Sequence, residues 1–131
     1  MMKQYRLILV LVAFGLLFLV IGCQRQPAVP NYVYATGVGV PSPGGIPAQE
    51  KAKAKRAARL DAERQLLESL KGMAIDSTST VQDFMLRSDR INSDVHGLIR
   101  GAEVIREGWN EDGAYEVELR IDFNKVKYLV R

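Results

Sequence analysis

The chain has 131 residues with 18 basic and 15 acidic side chains, a formal charge of +3, and one cysteine. That length holds one small domain and a targeting segment, and a lone thiol excludes both an intrachain disulfide and a cysteine-based zinc site. Residues 1–22 contain Lys3 and Arg6 but no acid, so without them 16 basic groups face 15 acidic ones, and the excess positive charge that would suggest nucleic acid as a partner disappears.

Met1–Arg6 is a positive n-region, and the uncharged run Leu7–Ile21 is an apolar h-region. A helix over that run rises roughly 22 Å, short of the ~30 Å hydrocarbon layer, which suits a cleaved signal better than a permanent span. Val20-Ile21-Gly22-Cys23 has the form of a lipobox. The thiol of Cys23 accepts the diacylglyceryl group, and Gly22 leaves room for cleavage beside the modified residue. The competing reading is a transmembrane anchor ending at a buried cysteine. Two or three acyl chains, at about 0.8 kcal/mol per methylene, hold a protein at a bilayer essentially for good. Cys23 is therefore expected to be an anchor, palmitate being one of its acyl groups. Gln24 stands where aspartate signals inner-membrane retention in Gram-negative cells, which points to the outer membrane and its periplasmic side. The expected division is a signal peptide at 1–22, the acylated cysteine and tether at 23–31, and one domain at 32–131. Gln24–Pro30 spans at most about 25 Å, so the domain works close to the bilayer.

Tyr32–Val40 is uncharged and rich in β-branched and aromatic residues, predicting a strand in which Gly37 and Gly39 mark a bulge or a close backbone approach. Val40–Pro47 is a loop by its Pro and Gly content. Gly37-Val38-Gly39 begins no dinucleotide fingerprint, since no third glycine completes it. Ala48–Leu70 predicts a helix with Ala58, Ala62, Leu66 and Leu70 in an i, i+4 row flanked by Leu60 and Leu67, and a left-handed cap at Gly72. Lys51, Lys53, Lys55, Arg56 and Arg59 at its start suit lipid headgroups or an acidic partner; a solvated face beside Glu50, Asp61 and Glu63 is the simpler explanation.

Ala74–Val81 predicts a strand with one wet face or an exposed edge. Phe84, Ile91, Val95, Leu98 and Ile99 fall at helical spacing, predicting a second helix around Asp89–Ile99. Ala102–Trp109 and Ala114–Phe123 form a hairpin over Asn110–Gly113, in which Tyr115, Val117, Leu119, Ile121 and Phe123 alternate with charged residues. Val126, Tyr128 and Val130 alternate with Lys125, Lys127 and Arg131, predicting a further short strand. The expected fold is α+β, a small largely antiparallel sheet with helices on one face, in the order strand-helix-strand-helix-strand-strand.

The inventory for chemistry is thin. His96 is the only histidine and is read as a surface or packing group; Ser77–Thr80 lack a neighbouring base. Glu103, Glu107, Glu111, Asp112, Glu116 and Glu118 lack calcium-loop spacing and read as a solubilising strand face. Trp109, Tyr32, Tyr34, Tyr115 and Tyr128 are expected in the core or in strand pairs. No catalytic, cofactor or metal residue is assigned.

The lipobox ending at Cys23, Ala35-Thr-Gly-Val-Gly-Val40, the Ala-rich helix through Ala58–Ala62 to Leu70-Lys71-Gly72, Ile75–Val81, Gly101–Ile105, and Trp109 with Asp112–Val117 follow one another in an order that resembles the LPP-twenty lipoproteins, small outer-membrane lipoproteins of Gram-negative bacteria that include flagellar assembly members. The resemblance covers nearly the whole chain after Cys23. It implies a non-enzymatic protein that binds the membrane through acyl chains and self-associates or docks with envelope or flagellar proteins. A binding module for peptidoglycan, lipid or a secreted partner is the alternative.

Overall fold

A computed structural model of the chain describes residues 31–131. The lipobox, Cys23, the signal segment and the tether lie outside the described residues. Seven elements follow in order: strand β1 (Tyr32–Gly39), helices α1 (Pro47–Lys71), α2 (Val81–Arg87) and α3 (Asp89–Arg100), strands β2 (Glu103–Trp109) and β3 (Tyr115–Asp122), and helix α4 (Phe123–Leu129). The class is α+β, as expected from the pattern, with a three-stranded antiparallel sheet in the order β1-β3-β2.

Period-two patterning decides which face of the sheet is dry. Val33, Ala35, Gly37 and Gly39 of β1 and Tyr115, Val117, Leu119 and Ile121 of β3 are buried together. Across them lies α1, whose Ala54, Ala58, Ala62, Leu66 and Leu70 are buried in a single row. The glycines make the contact possible: a Cβ on Gly37 would run into the backbone of Ala58 and Ala62, and one on Gly39 into that of Ala54. The expected close approach is thus an interlock of strand glycines with helix alanines, and at the other end of the row Leu66 and Leu70 fill the wider space beside Val95, Phe123 and Val126. Leu60, expected to flank the buried row, is 65% exposed. Gly72 is right-handed at φ −76°, so the left-handed cap expected there does not form.

Ala74–Val81 is not a strand. A single bridge joins Ala74 to Thr80, and between them Asp76 Oδ1 accepts from the amides of Thr78 and Ser79 at 2.8 Å. Short polar side chains that bond their own backbone offer an alternative to a ladder, and here that alternative wins. Thr80 then caps α2, a helix absent from the sequence reading: the Thr80 amide donates to Asp83 Oδ2 at 2.7 Å, and the Asp83 amide donates to Thr80 Oγ1 at 3.4 Å. Ser88 breaks the helix, and its hydroxyl accepts from the Ile91 amide to start α3 close to the predicted Asp89.

The hairpin forms around Asn110–Ala114, with Gly113 at φ 76° as the Asp-Gly pair demands. The expected last strand is also absent. Asp122 Oδ1 accepts from the Asn124 amide at 2.9 Å and turns the chain into α4. Phe123, Val126 and Val130 are buried at helical spacing, whereas Tyr128 is 82% exposed. The observed order is therefore strand, three helices, two strands and a helix.

Candidate functional site

The strand register sorts the molecule into two ends. At one, Tyr32 pairs with Asp122, the Phe123 amide donates to the Asn31 carbonyl at 2.7 Å, and the tether joins the domain. At the other, Tyr115 pairs with both Gly39 and Trp109. Seven residue steps of strand separate the two, about 23 Å.

The far end carries the most distinctive surface. Trp109 is 41% exposed and stands edge-on to Tyr115, ring centroids 5.0 Å apart. Lys51 lies 6.0 Å from the Trp109 centroid and Lys55 4.9 Å from that of Tyr115, within cation–π range. Beside Trp109 a largely apolar cleft of about 480 Å³ is bounded by Pro41, Gly44, Gly45, Pro47 and Lys51. Glu50, a buried charged residue, holds the loop wall of this cleft: it accepts from the Ser42 amide at 3.2 Å and from Lys53 Nζ at 2.7 Å. The ammonium of Lys53, then the Ser42 amide, keep its carboxyl below the usual value against the opposing effect of burial.

Among the described residues no element covers the face of the sheet turned away from α1. Tyr32, Tyr34 and Val38 are each 44–50% exposed on it. Arg120 runs across its middle, donating to Glu103 Oε2 at 2.7 Å and lying 4.7 Å over the Tyr32 ring; Glu103, and then Tyr34, strengthen its positive charge. Arg106 and Glu118 pair at 3.6 Å. Among the described residues strand β2 has one neighbour, β3; it is bulged between Val104 and Arg106, and leaves Val104, Ile105 and Trp109 partly exposed. At the opposite edge, the Val38 amide donates to Asp61 Oδ2 at 3.3 Å. Arg64, then that amide, hold the Asp61 carboxyl below its ordinary value.

Of the six acids read as one cluster, three take separate partners: Glu103 with Arg120, Glu118 with Arg106, Glu116 with Asn110 Nδ2 at 2.8 Å. Among the described residues no group of three or more His, Cys, Asp or Glu comes together as a metal site. His96 is half-buried on α3. Thr80 serves as a helix cap, and Thr78 and Ser79 donate to Asp76. Of the five aromatics assigned to the core or to strand pairs, Tyr115 alone is buried; Trp109, Tyr32 and Tyr34 stand exposed on strands, and Tyr128 on a helix. The basic start of α1, considered above for lipid headgroups, is at the end away from the tether, with Arg59 donating to the Arg100 carbonyl at 3.1 Å.

Residues 23–122 match the model of the LPP20 lipoprotein family. The chain belongs to that family. The match covers β1 through β3, so the glycine–alanine interlock and the Trp109 cleft both lie within it. Membership makes this LPP20 member a lipoprotein of the cell envelope, in a family not known for catalysis. No curated protein and no solved structure matches the chain. Among the described residues no helix is long and apolar enough to cross a membrane.

Proposed function

We propose that this LPP20 member is a non-catalytic structural lipoprotein, fixed by acyl chains on Cys23 to the periplasmic side of the outer membrane. There it presents the far end of its sheet to further copies of itself or to envelope machinery, the flagellar basal structure foremost. The observation that carries this reading is the separation of Trp109 from Asn31. The exposed tryptophan, the cleft beside it and the Trp109 end of β2 lie at the end of the sheet remote from the tether. Tryptophan and tyrosine are among the residue types that dominate protein contacts. The family match starting at Cys23 supports that residue as the anchor.

The test has two arms. Purified protein lacking residues 1–23 is followed by light scattering as concentration rises, and a deletion strain is scored for motility. Association weakened by Trp109→Ala, together with impaired motility, is the expected result. A protein that stays monomeric at every concentration in a strain that swims normally would remove the proposal.

The Trp109 cleft also supports a second reading, a module that binds peptidoglycan, since an exposed indole beside a shallow apolar recess can stack on a sugar ring. Pull-down with purified sacculi, lost in Trp109→Ala, distinguishes the two.

A further inference from the structure

The tether end of the domain carries a second surface that the anchor reading does not use. Helix α4 starts where Asn31 meets Phe123, buries Phe123 and Val126, and turns Lys125 and Tyr128 outward. These two residues, three apart and so on one side of the helix, border a largely apolar recess of about 390 Å³ whose floor includes Leu98 and Leu129. Arg131 follows, also exposed. Of the nearby acids, Glu103 is paired with Arg120, and Asp122, which also lines the recess, turns one carboxylate oxygen to the Asn124 amide. An outward tyrosine between basic residues, over a half-buried leucine recess, is the pattern of a group that settles at a lipid–water boundary.

Chain length supplies the occupant. Only the seven residues Gln24–Pro30 separate Cys23 from Asn31, so an acylated Cys23 holds this end of the domain within ~25 Å of the headgroups. We propose that Lys125 and Tyr128 of α4, with Arg131 just beyond its end, form a second membrane contact that docks on anionic phospholipid headgroups and orients the domain with Trp109 outward. The inference rests on acylation of Cys23 for the standing proximity of the bilayer, while affinity for lipid is a property of α4 itself. Each basic residue at an anionic surface contributes about fivefold to binding, so removing two lowers it about 30-fold.

The mature acylated protein offers a direct test, because the sulfur of Cys23 is then a thioether and an introduced cysteine is the sole free thiol. Tyr128→Cys, at a position outside the core, carries an environment-sensitive fluorophore; Glu111→Cys at the hairpin tip is the reference. In vesicles of phosphatidylcholine with phosphatidylglycerol, the probe at 128 shifts to the blue and the probe at 111 does not. Lys125→Glu with Arg131→Glu abolishes the shift, as does high salt. A probe at 128 as wet as the one at 111 overturns the proposal. Mass measurement of the same preparation reports acylation separately. If Cys23 proves bare, the Tyr128→Cys shift is read with Cys23→Ser protein added to the same vesicles. A phosphatidylglycerol-dependent shift there upholds the α4 contact though the anchor has failed; none overturns it.

Discussion

Gly39 and Ala54 meet backbone to backbone: a methyl group on the strand residue would overlap the carbonyl of the helix residue. The same relation repeats between Gly37 and Ala58, one step along the strand face and one turn along the helix.

Gly37→Ala and Gly39→Ala each force α1 off the sheet. Overpacking against backbone cannot be relieved by a rotamer change, so each substitution costs about 1–3 kcal/mol or more. Thermal unfolding followed by circular dichroism should show each variant melting about 4–8 °C lower per kcal/mol. Unchanged melting would mean the interlock is not tight.

Gly97→Ala has the opposite sign. Gly97 is inside α3, exposed, with nothing within 4 Å of the position its Cβ would take. Alanine there stabilises the helix by about 0.5–1 kcal/mol. The midpoint of urea unfolding should rise with its slope unchanged; a fall would place an undetected neighbour at that site.

Thr80→Ala removes the hydroxyl that accepts from the Asp83 amide at the start of α2. Loss of such a cap costs about 1 kcal/mol, and more rapid amide exchange should be confined to Val81–Arg87 if the effect is local. Thr80→Ser retains the hydroxyl and should recover most of the loss.

Stability should fall in acid. The Asp76 and Asp83 carboxyls are held below 3.8, the former chiefly by the Thr78 amide and the latter by that of Thr80; Glu50 is held below 4.5, chiefly by Lys53. Depressed values mean that the folded chain binds fewer protons than the unfolded chain in this range. The stabilisation is therefore complete above the unfolded values and drains away as pH drops through the folded ones. Unfolding measured from neutrality to below pH ~4 should show a plateau and then a decline. Asp76→Asn should flatten part of that decline, and a stability independent of pH would exclude these carboxyls as supports.

What could be read in advance divides along physical lines. Tyr115 to Phe123 alternate over nine residues, long enough for period two to predict a strand, and β3 formed over Tyr115–Asp122, while Phe123, expected in the strand, opens α4. In Lys125–Arg131 the positions Val126 and Val130 fit both a strand and a helix, because over so few residues the periods 2 and 3.6 coincide at a spacing of four. The Asp122 cap, a local bond to the Asn124 amide, and burial beside Phe123 decide for helix, and only the second comes from tertiary structure. Asp76–Thr80 has strand-forming threonines, but hydrogen bonds to Asp76 prevail; the Thr80-x-x-Asp83 spacing was the visible clue to α2. At the candidate site, Trp109 was noticeable as a residue type, whereas its exposure depended on β2 lying outside the cover of α1. The expectation for Cys23 rests on linear sequence alone, and that residue lies outside the described residues.

The Asp61 carboxylate that occupies the Val38 amide has a consequence for growth by strand addition. With the Val38 amide engaged on one border and β2 without a second partner among the described residues on the other, a newcomer joins more readily along β2, and two molecules that meet there consume each other's vacancy. Addition of this kind stops at a closed pair instead of running on into a fibril, a safeguard suited to a lipoprotein of the cell envelope. Asp61→Ala would lift it.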